Sequence, residues 1–147
     1  MKTFFIFIML LSVCTNTYSQ SYQKYNKFLN RTEFYDSDGN MTGYAKRNDF
    51  LDRTEYYDSD GNMKSYQKDN TFLNRKETYD SDGNPKGYEK QNDFLNRKEV
   101  YDNDGNLKYT KKWNDFLDRY DIFDSDGNQV GYRKYNTFLE RWEYFDY

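Results

Sequence analysis

A 22-residue repeat runs through almost the whole chain and limits the folds that the chain can adopt. The pentad Asp-x-Asp-Gly-Asn recurs five times, and the tetrad Phe-Leu-x-Arg recurs six times, both at a constant interval of 22 residues. The pentads begin at Asp36, Asp58, Asp80, Asp102 and Asp124, and the tetrads begin at Phe28, Phe50, Phe72, Phe94, Phe116 and Phe138. A period in this range indicates an array of structural units that pack on their neighbours.

The first 19 residues are unlike the repeats. Lys2 precedes an apolar run over residues 4–13, and Thr17 and Ser19 place small side chains at positions −3 and −1 of a cleavage site. This pattern is typical of a secretory signal peptide. We therefore predict a signal peptide over 1–19, a repeat domain over 20–147, and a periplasmic, cell-surface or secreted location. The apolar run is about half of the ~20 residues that span a bilayer, so we expect no transmembrane anchor in the mature chain.

Cys14 is the only cysteine of the chain. Leu11-Ser12-Val13-Cys14 resembles the bacterial lipoprotein box, in which the cysteine is lipidated, although Val13 stands where that box has Gly, Ala or Ser. We favour an ordinary leader residue over lipidation, because a conventional cleavage site follows at Ser19. The mature chain would then contain no thiol and no disulfide.

The composition excludes several classes of protein. Aromatic residues make up 21% of the chain and charged residues 32%, so the sequence is polar but far richer in rings than a disordered chain. The net charge is −3 with acids and bases interspersed, which leaves no basic stripe for nucleic acid. The chain has no histidine, and every candidate carboxylate recurs in equivalent repeats. We therefore predict a non-enzymatic protein without a cofactor.

Two segments of each repeat alternate in the manner of β-strands. Residues 31–35 carry Arg, Glu and Tyr at alternate positions, which recur in every copy as Arg, an acid, and Tyr or Phe, while the intervening positions vary. Residues 42–48 place Tyr44, Lys46 and Asn48 on one face, and the fifth copy departs with Tyr109 and Thr110. One fixed face and one variable face with a period of two indicate strands.

Asp-Gly between two alternating segments is a strong hairpin signal. We therefore predict an all-β fold of about six β-hairpin repeats in an antiparallel meander, forming an elongated, twisted single sheet or an open solenoid. The meander is favoured, since a solenoid would stack Arg on Arg and Glu on Glu. The recurring Phe and Tyr, such as Phe28 and Tyr35, are expected in the core, and the two end strands would be free to join copies edge to edge.

Tyr57-Asp58-Ser59-Asp60-Gly61-Asn62, recurring every 22 residues, resembles the YD repeats of bacterial RHS-type surface proteins. The layout of one hairpin per unit, with repeated aromatic residues and glycine, is similar to MORN-like repeats. Either resemblance would cover the whole mature chain. Both imply a non-catalytic, exported β-repeat protein of the cell envelope.

The Asp-x-Asp-Gly-Asn pentad also resembles the first half of an EF-hand-like calcium loop, in which oxygen ligands alternate before a glycine bend. Position twelve of such a loop would be Arg47, not an acid. A turn built from turn-forming residues is therefore favoured over weak calcium binding. The carboxylates of the calcium alternative are Asp36, Asp38, Asp58, Asp60, Asp80, Asp82, Asp102, Asp104, Asp124 and Asp126.

The variable positions carry rings of their own in the last two repeats, at Trp113, Tyr120, Tyr135 and Trp142. If these rings lie on the exposed face, they could stack on sugars, as in the aromatic repeats of cell-wall-binding modules, which the chain loosely resembles. The sequence therefore favours a structural or protein-interaction scaffold at the cell envelope or outside the cell, with a partner protein or glycan at the surface. A carbohydrate-binding module is the alternative, and a weak calcium-binding repeat protein is the second alternative.

Overall fold

The computed structural model describes residues 20–147, which form twelve antiparallel β-strands closed into a barrel. Each repeat supplies two consecutive strands. The strands are β1 (Gln20–Asn26), β2 (Arg31–Tyr35), β3 (Met41–Asn48), β4 (Arg53–Asp58), β5 (Met63–Asn70), β6 (Arg75–Asp80), β7 (Pro85–Asn92), β8 (Arg97–Asp102), β9 (Leu107–Asn114), β10 (Arg119–Asp124), β11 (Gln129–Asn136) and β12 (Arg141–Asp146). The predicted signal peptide and Cys14 lie outside the described residues.

The barrel closes because the first strand pairs with the last. Gln20 lies opposite Phe145, and Lys24 lies opposite Arg141. The prediction of an open sheet or solenoid is therefore wrong, and the closed barrel also conflicts with a YD-like or MORN-like repeat solenoid. The free edges expected for edge-to-edge association are also absent from the twelve described strands, since the two end strands pair with each other.

A bulge in five of the repeats bends the sheet. Between the first and second repeats, Phe34 lies opposite Gly43 while Tyr35 lies opposite Met41, so Thr42 is an extra residue on β3. The same shift recurs on β5, β7, β9 and β11. Bulges increase the local twist and curvature of a strand pair. Repeated around the sheet, they provide the curvature that an open meander lacks.

The variable face of the strands points into the barrel. Tyr56 on β4, Glu89 on β7, Tyr109 on β9 and Tyr144 on β12 belong to this face, and they lie on strands distributed around the barrel. Burial raises the pKa of Tyr56 to about 12, and the charge of Glu89 and the phenol of Tyr144 add to the effect. Burial likewise raises the pKa of Tyr109, with contributions from the same groups and from Tyr56. Groups so far apart along the sheet influence one another because they share one lumen.

Long polar side chains fill this lumen and bond to one another. The Tyr56 hydroxyl donates to Gln67 Oε1 at 2.7 Å, and Gln67 Nε2 donates to Thr78 Oγ1 at 3.2 Å. On the other side, the Tyr144 hydroxyl donates to Gln23 Oε1 at 2.8 Å. Barrels of eight strands are just filled by side chains, and barrels of 16–18 leave a channel. A twelve-stranded barrel lies between them, which accounts for the bulky, hydrogen-bonding residues inside this one.

The fixed face lies outside and holds adjacent strands together. Glu55 accepts hydrogen bonds from Arg53 Nε at 2.8 Å, Asn48 Nδ2 at 3.0 Å and the Tyr57 hydroxyl at 2.7 Å. Only 7% of Glu55 is exposed, because these side chains cover it. The tyrosines are therefore stacked on the outer surface and do not form the interior core that the sequence predicted.

Candidate functional site

The turn that carries Phe-Leu is held together by an asparagine side chain. In the first repeat, Asn26 Oδ1 accepts a hydrogen bond from the Leu29 amide at 3.0 Å, and Asn26 Nδ2 donates to Glu33 at 3.1 Å. The turn ends at Asn30, whose φ of 49° is left-handed, and the corresponding residue has a positive φ in every repeat. Asn and Asp tolerate this conformation better than other residues except glycine. The turn is thus built without any contribution from the phenylalanine ring.

The phenylalanine of each turn is almost fully exposed to solvent. The exposed fractions are 94% for Phe28, 95% for Phe50, 93% for Phe72, 96% for Phe94, 94% for Phe116 and 91% for Phe138. The six turns join each odd-numbered strand to the next even-numbered strand, so they all lie at one end of the barrel. We call these six residues the phenylalanine rim. The expectation that this column of rings lies in the core is wrong.

Six half-exposed leucines accompany the rim, with 38–47% of each residue exposed. They are Leu29, Leu51, Leu73, Leu95, Leu117 and Leu139. The other turn residues are polar, and half of them are acidic: there are six carboxylates (Asp49, Asp52, Asp93, Asp115, Asp118 and Glu140) and one base (Lys27). The turns at this end of the barrel therefore carry a large apolar surface and a net negative charge, and one exposed lysine per repeat lies just below them, at Lys24, Lys46, Lys68, Lys90, Lys112 and Lys134. Large apolar patches rimmed by polar residues mark interaction sites.

The four aromatic residues of the glycan hypothesis lie together just inside this end of the barrel. Trp113 contacts Tyr120 edge-on at a centroid distance of 4.8 Å, Tyr120 lies 6.2 Å from Trp142, and Tyr135 lies 5.3 Å from Trp142. We call these four residues the aromatic cluster. They face the lumen and not the outer surface, so the exposed sheet face suggested for them is wrong. Tyr135 is 42% exposed.

Charged side chains occupy lumen-facing positions of β5 to β9, next to the strands that carry the aromatic cluster. Lys76 pairs with Asp69 at 3.0 Å, and Glu89 pairs with Lys98 at 3.4 Å and with Lys111 at 2.5 Å. Burial raises the pKa of Glu89, but the charges of Lys111 and Lys98 outweigh it, and the pKa lies below its ordinary value. The mouth therefore has an aromatic half and an ionic half.

Arg133 lies directly beneath the aromatic cluster. Its guanidinium stacks over Trp142 at 4.1 Å and over Tyr144 at 5.2 Å. Arg133 Nε is buried and has no hydrogen-bond partner among the described residues. A buried donor without a partner is costly, so this group is available to a ligand that enters the mouth.

The other end of the barrel consists of the Asp-x-Asp-Gly-Asn turns. Asp36 Oδ1 accepts hydrogen bonds from the amides of Asp38 at 3.0 Å and Asn40 at 2.8 Å, and Gly39 has a φ of 86°. The first carboxylate of each pentad is thus used as a cap of its own turn, and the second lies exposed at the tip. Over residues 20–147, no three acidic, His or Cys residues are gathered as a metal site.

Comparisons with known proteins give a fold but no family. No family model matches the chain, and no curated protein matches it. The chain is similar to the X-ray structure of a protein from Arabidopsis thaliana, with a TM-score of 0.63 and 11% sequence identity, over 90% of this chain and 82% of that one. At this identity the similarity concerns the fold alone.

The part of the chain that the structure describes contains no helix that could span a membrane.

The sequence pattern did not reveal the phenylalanine rim, because a ring that recurs in every repeat was interpreted as a core residue. One signal was available: the phenylalanine lies in the connection Asn-x-Phe-Leu-x, next to residues that form turns and away from both alternating segments. Rings in a short connection lie at a barrel end, where the lumen cannot cover them.

Proposed function

We propose that this protein is a non-enzymatic interaction module, exported from the cell, that binds a partner protein through the phenylalanine rim. The observation that supports it is the 91–96% exposure of all six rim phenylalanines. Burying one such side chain is worth roughly 1.5–3 kcal/mol, and the turn that carries each ring does not need it. The six exposed rings do not stabilise the fold, whereas a partner protein that buried them would gain binding free energy.

The charge around the rim favours a protein partner with a basic and apolar surface. Six carboxylates and one lysine lie in the rim turns, so the turns carry a net charge of −5 when all of these groups are ionised. A cationic protein surface would be attracted to the carboxylates of the turns, while the exposed lysines lie on the outer wall below them. The partner is therefore expected to present apolar pockets bordered by Lys or Arg.

Site-specific photo-crosslinking tests this proposal. A photoreactive benzoylphenylalanine in place of Phe72 should crosslink a defined protein in extracts of the cell surface, and a benzoylphenylalanine in place of Ser81, on a turn at the opposite end, should not. Crosslinking should weaken as salt rises, because the rim is acidic. Equal crosslinking from both ends, or capture of phospholipid vesicles and no protein, would contradict the proposal.

A carbohydrate ligand in the barrel mouth is the second candidate. It is favoured by the aromatic cluster together with the buried, unpartnered Arg133 Nε, since rings that stack and donors that point inward are the means by which sugars are held. A glycan array followed by calorimetry tests it. Glycan binding should be lost in Trp142→Ala and kept in Phe72→Ser. Binding of the partner protein of the first candidate should instead be kept in Trp142→Ala and lost in Phe72→Ser.

A further inference from the structure

Five of the six repeats place a tyrosine in one and the same stack on the outer surface. In the second repeat, the Tyr44 ring lies between the Arg31 guanidinium, 4.2 Å from its centroid, and the Tyr57 ring, 4.9 Å from its centroid. The equivalent tyrosines are Tyr22, Tyr44, Tyr66, Tyr88 and Tyr132, each between an arginine of the preceding repeat and a Tyr or Phe of its own. The same stack forms where the last strand pairs with the first, because the Arg141 guanidinium on β12 covers the Tyr22 ring on β1.

The fifth repeat keeps both sides of the stack and lacks the ring between them. Thr110 occupies the tyrosine position and lies opposite Phe123 on β10, as Tyr44 lies opposite Tyr57. Arg97 is held by Glu99 at 2.9 Å, which is how the other arginines are held by their carboxylates. The tyrosine of this repeat is displaced by one residue to Tyr109, which faces the lumen.

A cavity open to solvent occupies this place. It is lined by Arg97, Thr110 and Phe123, by Leu107, and by the turn that contains Asp124 and Gly127. We call it the Arg97–Phe123 cavity. Thr110 is only 4% exposed, so it is covered by its neighbours and is not itself open to solvent, and Lys112 also lines the cavity.

The turn at the end of the cavity indicates where a phenol hydroxyl would lie. The Tyr44 hydroxyl lies 3.8 Å, and the Tyr66 hydroxyl 3.6 Å, from the point where a Cβ on Gly61 or Gly83 of the next turn would stand. At Gly127, the equivalent glycine of the fifth repeat, no atom of the described chain lies within 4 Å of that point, but the same holds at Gly105, next to the Tyr88 stack. The extent of the space is shown instead by the residues that line it, which run from Arg97 to Gly127 in the turn.

We propose that the Arg97–Phe123 cavity binds a phenol ring supplied from outside, with the tyrosine side chain of a partner protein as the natural form. The guanidinium of Arg97 would cover one face of the ring and Phe123 the other, which is the arrangement that the chain uses five times internally. A cation over a ring and a stacked ring pair both stabilise such a complex. This site lies on the barrel wall and does not depend on the phenylalanine rim.

Binding of p-cresol, the tyrosine side chain as a free molecule, tests the proposal. Saturation-transfer NMR should show one site with a dissociation constant on the order of 1 mM, as suits a ligand of this size. Thr110→Tyr should abolish the signal and raise the melting temperature, since the new ring fills the cavity. N-acetyltyrosinamide should bind as p-cresol does, and N-acetylleucinamide should not.

A second variant provides the matched control. Tyr44→Thr copies the fifth repeat into the second, so a folded Tyr44→Thr protein should bind two equivalents of p-cresol where the parent binds one. Binding that persists in Thr110→Tyr, a stoichiometry that stays at one in Tyr44→Thr, or no binding to the parent protein would each overturn the proposal. If p-cresol binds and tyrosine-containing peptides do not, the site takes free phenols and the partner tyrosine is ruled out.

Discussion

At the scale of single residues, the outer surface depends on one carboxylate in each repeat. Glu55 accepts hydrogen bonds from Arg53, Asn48 and Tyr57, and it is nearly inaccessible. It therefore connects the turn, its own strand and the neighbouring strand. Removing it would leave three donors without their acceptor.

Replacement of this carboxylate is expected to destabilise the barrel. Glu55→Ala should lower the free energy of unfolding by about 1–3 kcal/mol, because the donors around it lose a charged partner. Urea unfolding monitored by circular dichroism measures the change. Asp60→Ala, at an exposed turn tip, is the matched control and should change the free energy by less than about 0.5 kcal/mol. Similar losses in both variants would show that the hydrogen-bonded carboxylate has no special role.

The same network should limit the stable range of pH at both ends. Hydrogen bonds from Tyr79 and Arg75 hold the pKa of Glu77 below its ordinary 4.5, so its contribution to stability is complete above pH 4.5 and is lost as pH falls through the lowered pKa. The hydrogen bond to Glu55 raises the pKa of Tyr57 to about 12, so the contribution of Tyr57 is complete below pH 10 and is lost as pH rises towards 12.

Melting temperatures from pH 2 to pH 12 at constant ionic strength test this expectation. We expect a plateau between about pH 5 and pH 10, with a fall on each side. Tyr57→Phe should have a shallower alkaline fall than the parent protein, because it removes one of the titrating phenols. A melting temperature that keeps rising below pH 4 would contradict the direction of the carboxylate shifts.

At the scale of elements, the chain predicts its strands and turns well. The alternating segment 31–35 is β2, and the segment predicted over 42–48 is β3 with one more residue at its start. The Asp-Gly turns also lie where their chemistry requires. These features are local, since alternation and turn residues act within a few positions of the chain. The bulge at Thr42 was not predicted, because its position depends on how β2 and β3 pair. Alternation within one strand does not show how that strand pairs with its neighbour.

The turn before each even-numbered strand offers a test at this scale. Its last residue is left-handed, with a φ of 47–51°, and it is Asn or Asp in five repeats and Glu140 in the sixth. Glu140→Asn should raise the free energy of unfolding by roughly 0.5 kcal/mol, since Asn adopts this conformation more readily than Glu. Urea unfolding checks it. Asn74→Glu, the reverse exchange in the third repeat, should lower the free energy by a similar amount, and equal signs for both exchanges would contradict the argument.

At the scale of the whole molecule, closure could not be derived from the repeat. An even period keeps equivalent residues on one face in a flat sheet and in a barrel alike. One signal does separate them. In an open array every repeat has the same neighbours, whereas inner residues of a barrel are influenced by strands with which their own strand does not pair, as the charge of Glu89 on β7 acts on Tyr56 on β4. The variability of the inner positions was therefore evidence for a lumen.

The candidate site was predicted only in part, for the same reason. The sequence singled out Trp113, Tyr120, Tyr135 and Trp142, and these residues do lie together. It could not show that they line a barrel mouth, that Arg133 lies beneath them, or that the phenylalanines encircle the same opening. Each of these facts requires the two ends of the chain to be joined.

Closure itself can be tested by circular permutation. Gln20 lies opposite Phe145 in the barrel, so the first and last strands are adjacent, whereas in an open array of six repeats they would be separated by the whole sheet. A permutant with Asp146 joined to Gln20 through a Ser-Asp-Gly-Asn turn, and with new ends between Asp82 and Gly83, should fold. Its melting temperature should lie within about 5 °C of that of the parent protein, which corresponds to roughly 1 kcal/mol in the free energy of unfolding.

A second permutant with the same joined ends provides the control. Its new ends lie within β4, between Glu55 and Tyr56, and it should not fold, because the cut breaks a strand that pairs on both sides. An open array predicts that both permutants fail to fold, because the joined ends would have to span the whole sheet.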